Sequence, residues 1–309
     1  MRHHMTRIAT AGILTSILML PASAPAYAQT SALVRSNTIM IDYIEPREPK
    51  YLNFPLDDPG YAATSKKLDE EYQGYKAIQT RLQKRQLLEE FSQFLAPVRL
   101  PMTLRIKTKQ CGVINAFYST DDWSITLCYE YVKKMEDDAP RTTTPEGITR
   151  RDAIVGRVVG TMLHEGGHAV SNMLQIPVLG REEDTADQIA AYVMMQFGTD
   201  VAKTTIKGEA YGWNLDSRSQ FALVWDVHSL AVQRLHTYLC IAYGKYPAEF
   251  NDFVRNGWLP KVRAPNCAAE YRQAERAFRR TILPHVDQDL MKQVLARKWL
   301  PPDNPNDPF

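Results

Sequence analysis

Charged and apolar positions interleave at spacings of three and four along residues 62–94, where Leu68, Tyr72, Tyr75, Ile78, Leu82, Leu87 and Leu88 share one side of a helical wheel. The spacing predicts an amphipathic helix that ends near Pro97. The period then shortens. Residues 103–107, 113–118 and 124–128 read as short strands, with Ser119-Thr120-Asp121-Asp122 as the turn between the last two. Helical spacing returns at 129–136, followed by a Pro- and Thr-rich loop over 139–147. Thr149 with Asp152 three residues on marks a helix start, although Asp replaces the usual Glu or Gln of a capping box. Pro177 and Gly180 bracket its exit. A second helix is expected over 182–197, a loop over 199–216, a third long helix over 218–243, and shorter helices over 248–254 and 267–280.

The first 28 residues follow a different logic. Arg2 and Arg7 precede an apolar run from Ile8 to Leu20, and small residues lead to Ala26-Tyr27-Ala28 before Gln29. This is the pattern of a cleaved secretory signal, and the run is too short for a comfortable membrane span. The expected organisation is a signal over 1–28, an extended Pro- and Tyr-rich arm over 29–60, and a folded unit over 61–300. Within that unit, 61–176 holds the first helix, the strands and the long central helix, and 177–300 forms a helical lobe. Residues 301–309 read as a loose tail.

Charge adds one exclusion. Lys and Arg number 37 and Asp and Glu 35, and Arg2 and Arg7 account for the whole excess. The exported chain is then formally neutral, which gives no electrostatic case for nucleic acid or for an anionic membrane surface. Four cysteines in an exported protein favour two disulfides over a metal cluster, since no C-x-x-C spacing occurs. Cys111 and Cys128 flank the expected hairpin and are paired on that ground, which leaves Cys240 with Cys267. Localisation is accordingly periplasmic or secreted, with no stable membrane insertion after signal cleavage.

The chemistry concentrates in Thr161-Met-Leu-His-Glu-Gly-Gly-His-Ala-Val170. Four residues apart on a helix is one turn, so His164 and His168 present their imidazoles to one ion at about 2.0–2.1 Å. Glu165, one residue round, stays off the ion yet beside the water that such an ion activates, where a carboxylate can act as general base. A chance H-E-x-x-H among seven histidines has odds of roughly 1 in 100. Gly166 and Gly167 are poor helix formers, each costing roughly 1 kcal/mol relative to Ala, and imply a close neighbour: another backbone, a substrate channel or the sheet. A catalytic zinc needs a third protein ligand. Ser171 and Leu174 exclude the long H-E-x-x-H-x-x-G-x-x-H form, so the ligand is sought in Arg181-Glu-Glu-Asp-Thr-Ala-Asp-Gln188. Glu183 is the expected ligand, with Asp187 one turn on as the acceptor that orients His164. Direct ligation by Asp187 is the alternative, and Glu182 and Asp184 read as favourable charges at a helix N-terminus.

His164-Glu165-x-x-His168 followed by Glu183-x-x-x-Asp187 resembles the gluzincin arrangement of thermolysin-type metallopeptidases. The chain more closely resembles a bacterial family of uncharacterised metallopeptidases, through Asn115-Ala-Phe-Tyr118, Ile125-Thr-Leu-Cys-Tyr-Glu130, the histidine helix, Gly180 to Asp187 and Asp226-Val-His-Ser-Leu-Ala-Val-Gln-Arg234. The likeness implies a strand over the cleft in which Asn115, Ala116 and Tyr118 meet an extended substrate. Phe117 and Tyr118 also suit plain hairpin packing. It further implies that His228, in an Asp-x-His element with Asp226, donates a hydrogen bond to the oxyanion. His236, Tyr192 and Tyr238 are the other candidates for that donor, because the thermolysin spacing of this histidine does not carry over.

The expected protein is an α+β, zincin-like metallopeptidase: a small antiparallel sheet packed on the histidine helix, then a mainly helical lobe, with one Zn2+ per chain and a peptide or protein as substrate. Its rivals are a non-catalytic envelope binding module that keeps the fold around a structural zinc, and a zinc amidase acting on cell-wall peptide.

Overall fold

The computed structural model describes residues 39–49, 59–218 and 224–300. The expected signal, much of the arm and the tail lie outside the described residues. Four strands make one sheet in the order β1 (Ile39–Tyr43), β2 (Leu104–Lys109), β4 (Ser124–Cys128) and β3 (Ala116–Ser119). The expected antiparallel sheet is in fact mixed. β1 runs parallel to β2 and β2 parallel to β4, whereas β3 and β4 are antiparallel. The arm supplies β1, whose alternating burial fits a half-covered strand. The chain leaving β2 passes beyond the β4 position to form β3, and β4 then returns between β2 and β3.

The single helix expected over 62–94 is two, α1 (Pro59–Lys84) and α2 (Leu87–Leu95), separated at Gln86 with φ +53°. Tyr43 explains the break: its hydroxyl accepts from Leu88 N at 2.9 Å and donates to Glu89 Oε2 at 2.7 Å, capping α2 from the neighbouring strand. After β4 come α3 (Tyr129–Asp138) and the central helix α4 (Arg150–Met173). Thr149 and Asp152 close a reciprocal capping box at the head of α4. α4 packs against β3 and β4 on one side and is buried along most of its length.

The second helix begins where expected, as α5 (Glu182–Met194) with a short 3-10 turn over Met195–Phe197. Two other readings need correction. Residues 199–216 are not a loop but α6 (Thr199–Asp216), laid against α4. Its buried face mixes small residues with Ile206 and Glu209, and Gly156 and Gly208 let the two backbones touch: a Cβ on Gly156 would stand 2.6 Å from Gly208 Cα. The long helix expected from 218 starts only at Ala231, as α7 (Ala231–Lys245). Residues 224–230 run as turns and bends, so His228 precedes the helix rather than lying on it. α8 (Asn251–Arg255), α9 (Ala264–Thr281) and the unanticipated α10 (Gln288–Ala296) complete the lobe, the last capped by Asp287.

Cys111 bonds Cys128 and Cys240 bonds Cys267, with Cα separations of 5.5 and 4.8 Å. The first does not cross the β3–β4 hairpin. Cys111 lies two residues past Lys109, which pairs with Cys128 in the parallel β2–β4 register. Among the described residues no helix is long and apolar enough to cross a membrane.

Candidate metal centre

On α4 the i, i+4 spacing places His164 and His168 on one face, with ring centroids 4.8 Å apart and their Nε2 atoms 3.2 Å apart. The first turn of α5 delivers Glu183, whose Oε2 lies 3.1 Å from His164 Nε2 and 3.2 Å from His168 Nε2. Gly167 permits this crossing, since a Cβ there would stand 3.0 Å from Ala186 Cα; the neighbour implied by the two glycines is therefore α5, with Phe91 of α2 facing Gly166.

Three donor atoms separated by 3.1–3.2 Å fit a divalent ion. Four ligands at about 2.0–2.1 Å in a tetrahedron stand about 3.3–3.4 Å from one another, and two imidazoles with a carboxylate are a donor set that zinc accepts. Protons take up the electrostatic demand in the metal-free chain. Burial pulls the His168 pKa down, but its bonds to Glu183 and Glu182 outweigh that and lift it to about 9. His164 is raised by Asp187 and Glu183 against the same penalty. Burial works against the Glu183 anion too, yet three imidazole bonds hold its pKa far below the carboxylate range.

A second ring of contacts orients these groups. Asp187, 2 % exposed, accepts from His164 Nδ1 at 2.9 Å and from Tyr238 OH at 3.2 Å. Arg234, also buried, grips the same carboxylate through Nε at 2.7 Å and Nη2 at 2.6 Å. Glu182 is more than a dipole charge: its Oε1 takes His168 Nδ1 at 3.0 Å. Asp184 likewise accepts from Ser229 Oγ at 2.5 Å and, with Arg181 on the His228 carbonyl, ties the 224–230 segment to α5.

That segment brings His228 into the centre. Its Nε2 is 3.0 Å from Glu183 Oε2, while Asp226 Oδ1 accepts both its Nδ1–H at 2.7 Å and its backbone N–H at 2.8 Å. The bonds to Glu183 and Asp226 raise the His228 pKa against a burial penalty. His164, Glu183 and His228 offer donor atoms within 4.8 Å of one another. Of the alternative donors, Tyr238 is spent on Asp187, and Tyr192 packs on Tyr271 and Phe278. No contact joins His236 to the centre among the described residues.

Glu165 is 6 % exposed and makes no side-chain hydrogen bond to the histidines among the described residues. Burial raises its pKa, tempered by the charges of His164 and His168 and by the nearby backbone N–H of Tyr118. The edge strand β3 thus lies directly beside Glu165. Since Asn115 O accepts from Cys128 N on the inner side, alternation turns the backbone of Ala116 and Tyr118 outward. Asn115 is exposed, Ala116 buried, and Tyr118 OH donates to Asn172 Oδ1 at 3.2 Å. Phe117 points the other way, toward Lys109.

Comparison with curated proteins and with solved structures returns no match. A family model does match, over residues 68–282: the family DUF4344, described as "Putative metallopeptidase". Those residues run from α1 to the end of α9 and include every side chain placed in the centre. With well over half of the chain inside that match, the protein belongs to the DUF4344 metallopeptidase family.

Proposed function

We propose that this chain is an exported zinc peptidase of gluzincin type, with a zincin-like arrangement of sheet, histidine helix and helical lobe. His164, His168 and Glu183 hold the metal. The observation that carries the reading is the convergence of His164 Nε2, His168 Nε2 and Glu183 Oε2 within 3.1–3.2 Å, with Glu165 buried alongside. Zinc bound by these donors supplies Lewis-acid polarisation of a carbonyl and a lowered pKa for water.

The protein's own groups do the rest. Glu165 takes the proton of the attacking water and passes it to the leaving amine, a task suited to a carboxyl whose burial favours holding a proton. His228, aligned by Asp226, donates toward the oxyanion that forms at the substrate carbonyl. Asp187 fixes His164 in its orientation. The outer edge of β3 receives an extended peptide through the outward backbone of Ala116, with Asn115 and Tyr118 flanking it. Two disulfides agree with an oxidising, extracytoplasmic compartment.

One observation favours a second reading. His228 Nε2 lies as close to Glu183 as the other imidazoles do, so His228 could complete a closed, structural site of the kind a binding module keeps. Its side chain is 43 % exposed and its other nitrogen is tied to Asp226, which suits a donor facing a cleft. Metal analysis of the purified protein, with cleavage profiling on peptide and cell-wall-peptide libraries for wild type and Glu165→Gln, decides between them. Stoichiometric zinc and cleavage lost in Glu165→Gln support the peptidase. Zinc without cleavage of either library supports the binding module, and cleavage confined to cell-wall peptides supports an amidase.

A further inference from the structure

The centre rests on a buried device that its own chemistry does not require. Trp213 of α6 is held between two guanidinium groups, with Arg157 of α4 at 4.0 Å from its ring centroid and Arg234 of α7 at 3.8 Å. The indole Nε1 is buried without a partner among the described residues, so Trp213 serves here as a flat surface rather than as a donor. Stacking of planar guanidinium on an aromatic face is favourable, and each arginine has its own counter-charge. Arg157 donates to Glu209 Oε2 at 3.2 Å and Asp216 Oδ2 at 2.7 Å, and Arg234 grips Asp187. Glycines make room for the assembly. A Cβ on Gly160 would overlap the Glu209 side chain, and one on Gly212 would stand 2.5 Å from Arg157 Nη1.

We propose that Arg234 is a positioning residue of the metal centre: stacked on Trp213, its two parallel hydrogen bonds fix the plane of the Asp187 carboxylate, which sets the orientation and tautomer of His164. An ionised carboxylate only accepts, so His164 Nδ1 must carry the hydrogen of the 2.9 Å contact; when a metal displaces the ring's other proton, the lone pair is then left on Nε2, the nitrogen that faces His168 and Glu183. Arg234 Nη2 also lies 3.3 Å from His164 Nδ1. Were Asp187 turned away, that N–H could donate to Nδ1 instead, and the hydrogen on Nε2 would block the ligand position. Arg234 thus selects between two states of His164 according to where Asp187 is held. A lysine supplies one direction of bonding rather than a fork and does not reproduce this.

This inference rests on the metal-site reading. The test is zinc affinity, by competition with a chromophoric chelator, of the full-length exported chain as wild type, Arg234→Met, Arg234→Lys, Trp213→Leu, Asp187→Asn and the double variant Arg234→Met/Asp187→Asn, with thermal unfolding as the control for folding. Arg234→Met and Asp187→Asn are each expected to weaken zinc about 10–100-fold, and Arg234→Lys about 3–10-fold. Adding Arg234→Met to Asp187→Asn should cost less than about 3-fold more, because both act through one carboxylate. Nitrogen-15 spectra of folded variants should show a loss of the Nδ1–H form of His164. Zinc affinity in Arg234→Met within about 2-fold of wild type, or fully multiplicative losses in the double variant, overturns the proposal. If Arg234→Met does not fold, Arg234→Lys and Trp213→Leu decide by the same criterion. A wild type that binds no zinc removes the metal site itself and this proposal with it, whereas a zinc-binding wild type beside an indifferent Arg234→Met removes the proposal alone.

Discussion

His164 Nε2 and His168 Nε2 lie 3.2 Å apart on adjacent turns of α4, both facing the same oxygen of Glu183. Two imidazole nitrogens that close repel unless a proton or a cation stands among them, and a preformed triangle of this size suits a divalent metal. His164→Ala and His168→Ala are each expected to lower zinc from one ion per chain to a small fraction of one after dialysis. Elemental analysis checks this, and a His164→Ala protein that retains a full equivalent refutes the ligand assignment.

Glu165 stands apart from the donor triangle, buried and close to the Tyr118 backbone N–H. Removing its charge while keeping its shape should leave the donors undisturbed. Glu165→Gln is therefore expected to bind zinc as wild type does and to lose about 10²–10⁴-fold in kcat. Peptide turnover measured beside zinc content settles the point, since equal zinc with equal turnover takes Glu165 out of the chemistry.

His228 reaches the centre from a segment with irregular backbone, and its role as donor differs measurably from a role as ligand. A donor acts on charge that develops in the transition state, so His228→Ala should lower kcat about 10²–10³-fold with KM and zinc content nearly unchanged. Asp226→Asn should cost less, because the ring keeps one partner in its geometry. Loss of zinc in His228→Ala would instead identify a fourth ligand and a closed site.

What could be read from the residues depended on how local the cause is. The Thr149–Asp152 cap is a contact three residues long, and the His164/His168 pair is a matter of helical pitch. Glu183 follows because the Pro177–Gly180 exit leaves few ways for the next helix to return. α6 is obscured for a physical reason: of its buried residues Ala202, Thr205, Ile206, Gly208, Glu209 and Ala210, only Ile206 is a large apolar side chain, because the face is built for close approach to α4. β1 is five residues within a Pro-rich arm and gains its partner 65 residues later, since Ile39 pairs with Leu104. Arg234 stands inside a segment that resembles the family, yet its function is set by Asp187 and Trp213 on other helices. The apolar residues around His228 suit a helix, whereas the Asp226 side chain closes on the His228 N–H and holds a turn there.

Gly208 of α6 and Gly74 of α1 make opposite predictions. A Cβ on Gly208 would fall 2.1 Å from Asp152 O and 2.6 Å from Gly156 Cα, which no rotamer relieves. Gly208→Ala should destabilise the fold by about 3 kcal/mol by forcing the helices apart. Gly74, inside α1, has nothing within 4 Å of such a Cβ, and Gly74→Ala should stabilise by about 0.5–1 kcal/mol through helix propensity. Urea unfolding of both variants beside wild type checks the pair, and similar shifts for the two would contradict the close α4–α6 contact.

On the proposed reading zinc competes with protons for the triangle of His164, His168 and Glu183, which fixes the sign of a pH effect. In the metal-free chain the His168 pKa is raised from 6.5 to about 9, so the stability gained from its protonated bonds is complete below about pH 6.5 and is lost as pH rises through 9. Zinc needs the neutral ring and gains over the proton across the same interval. The metal-free protein is thus expected to lose stability between pH 6 and pH 9, by at most about 3 kcal/mol from this group, while the rise in Tm caused by zinc grows. Glu182→Gln, which removes the partner of His168 Nδ1, should lower that pKa and shift the interval downward. Calorimetric scans with and without zinc at several pH values provide the measurement. A zinc-induced shift in Tm that stays constant from pH 6 to pH 9 would mean that His168 is not protonated where zinc binds.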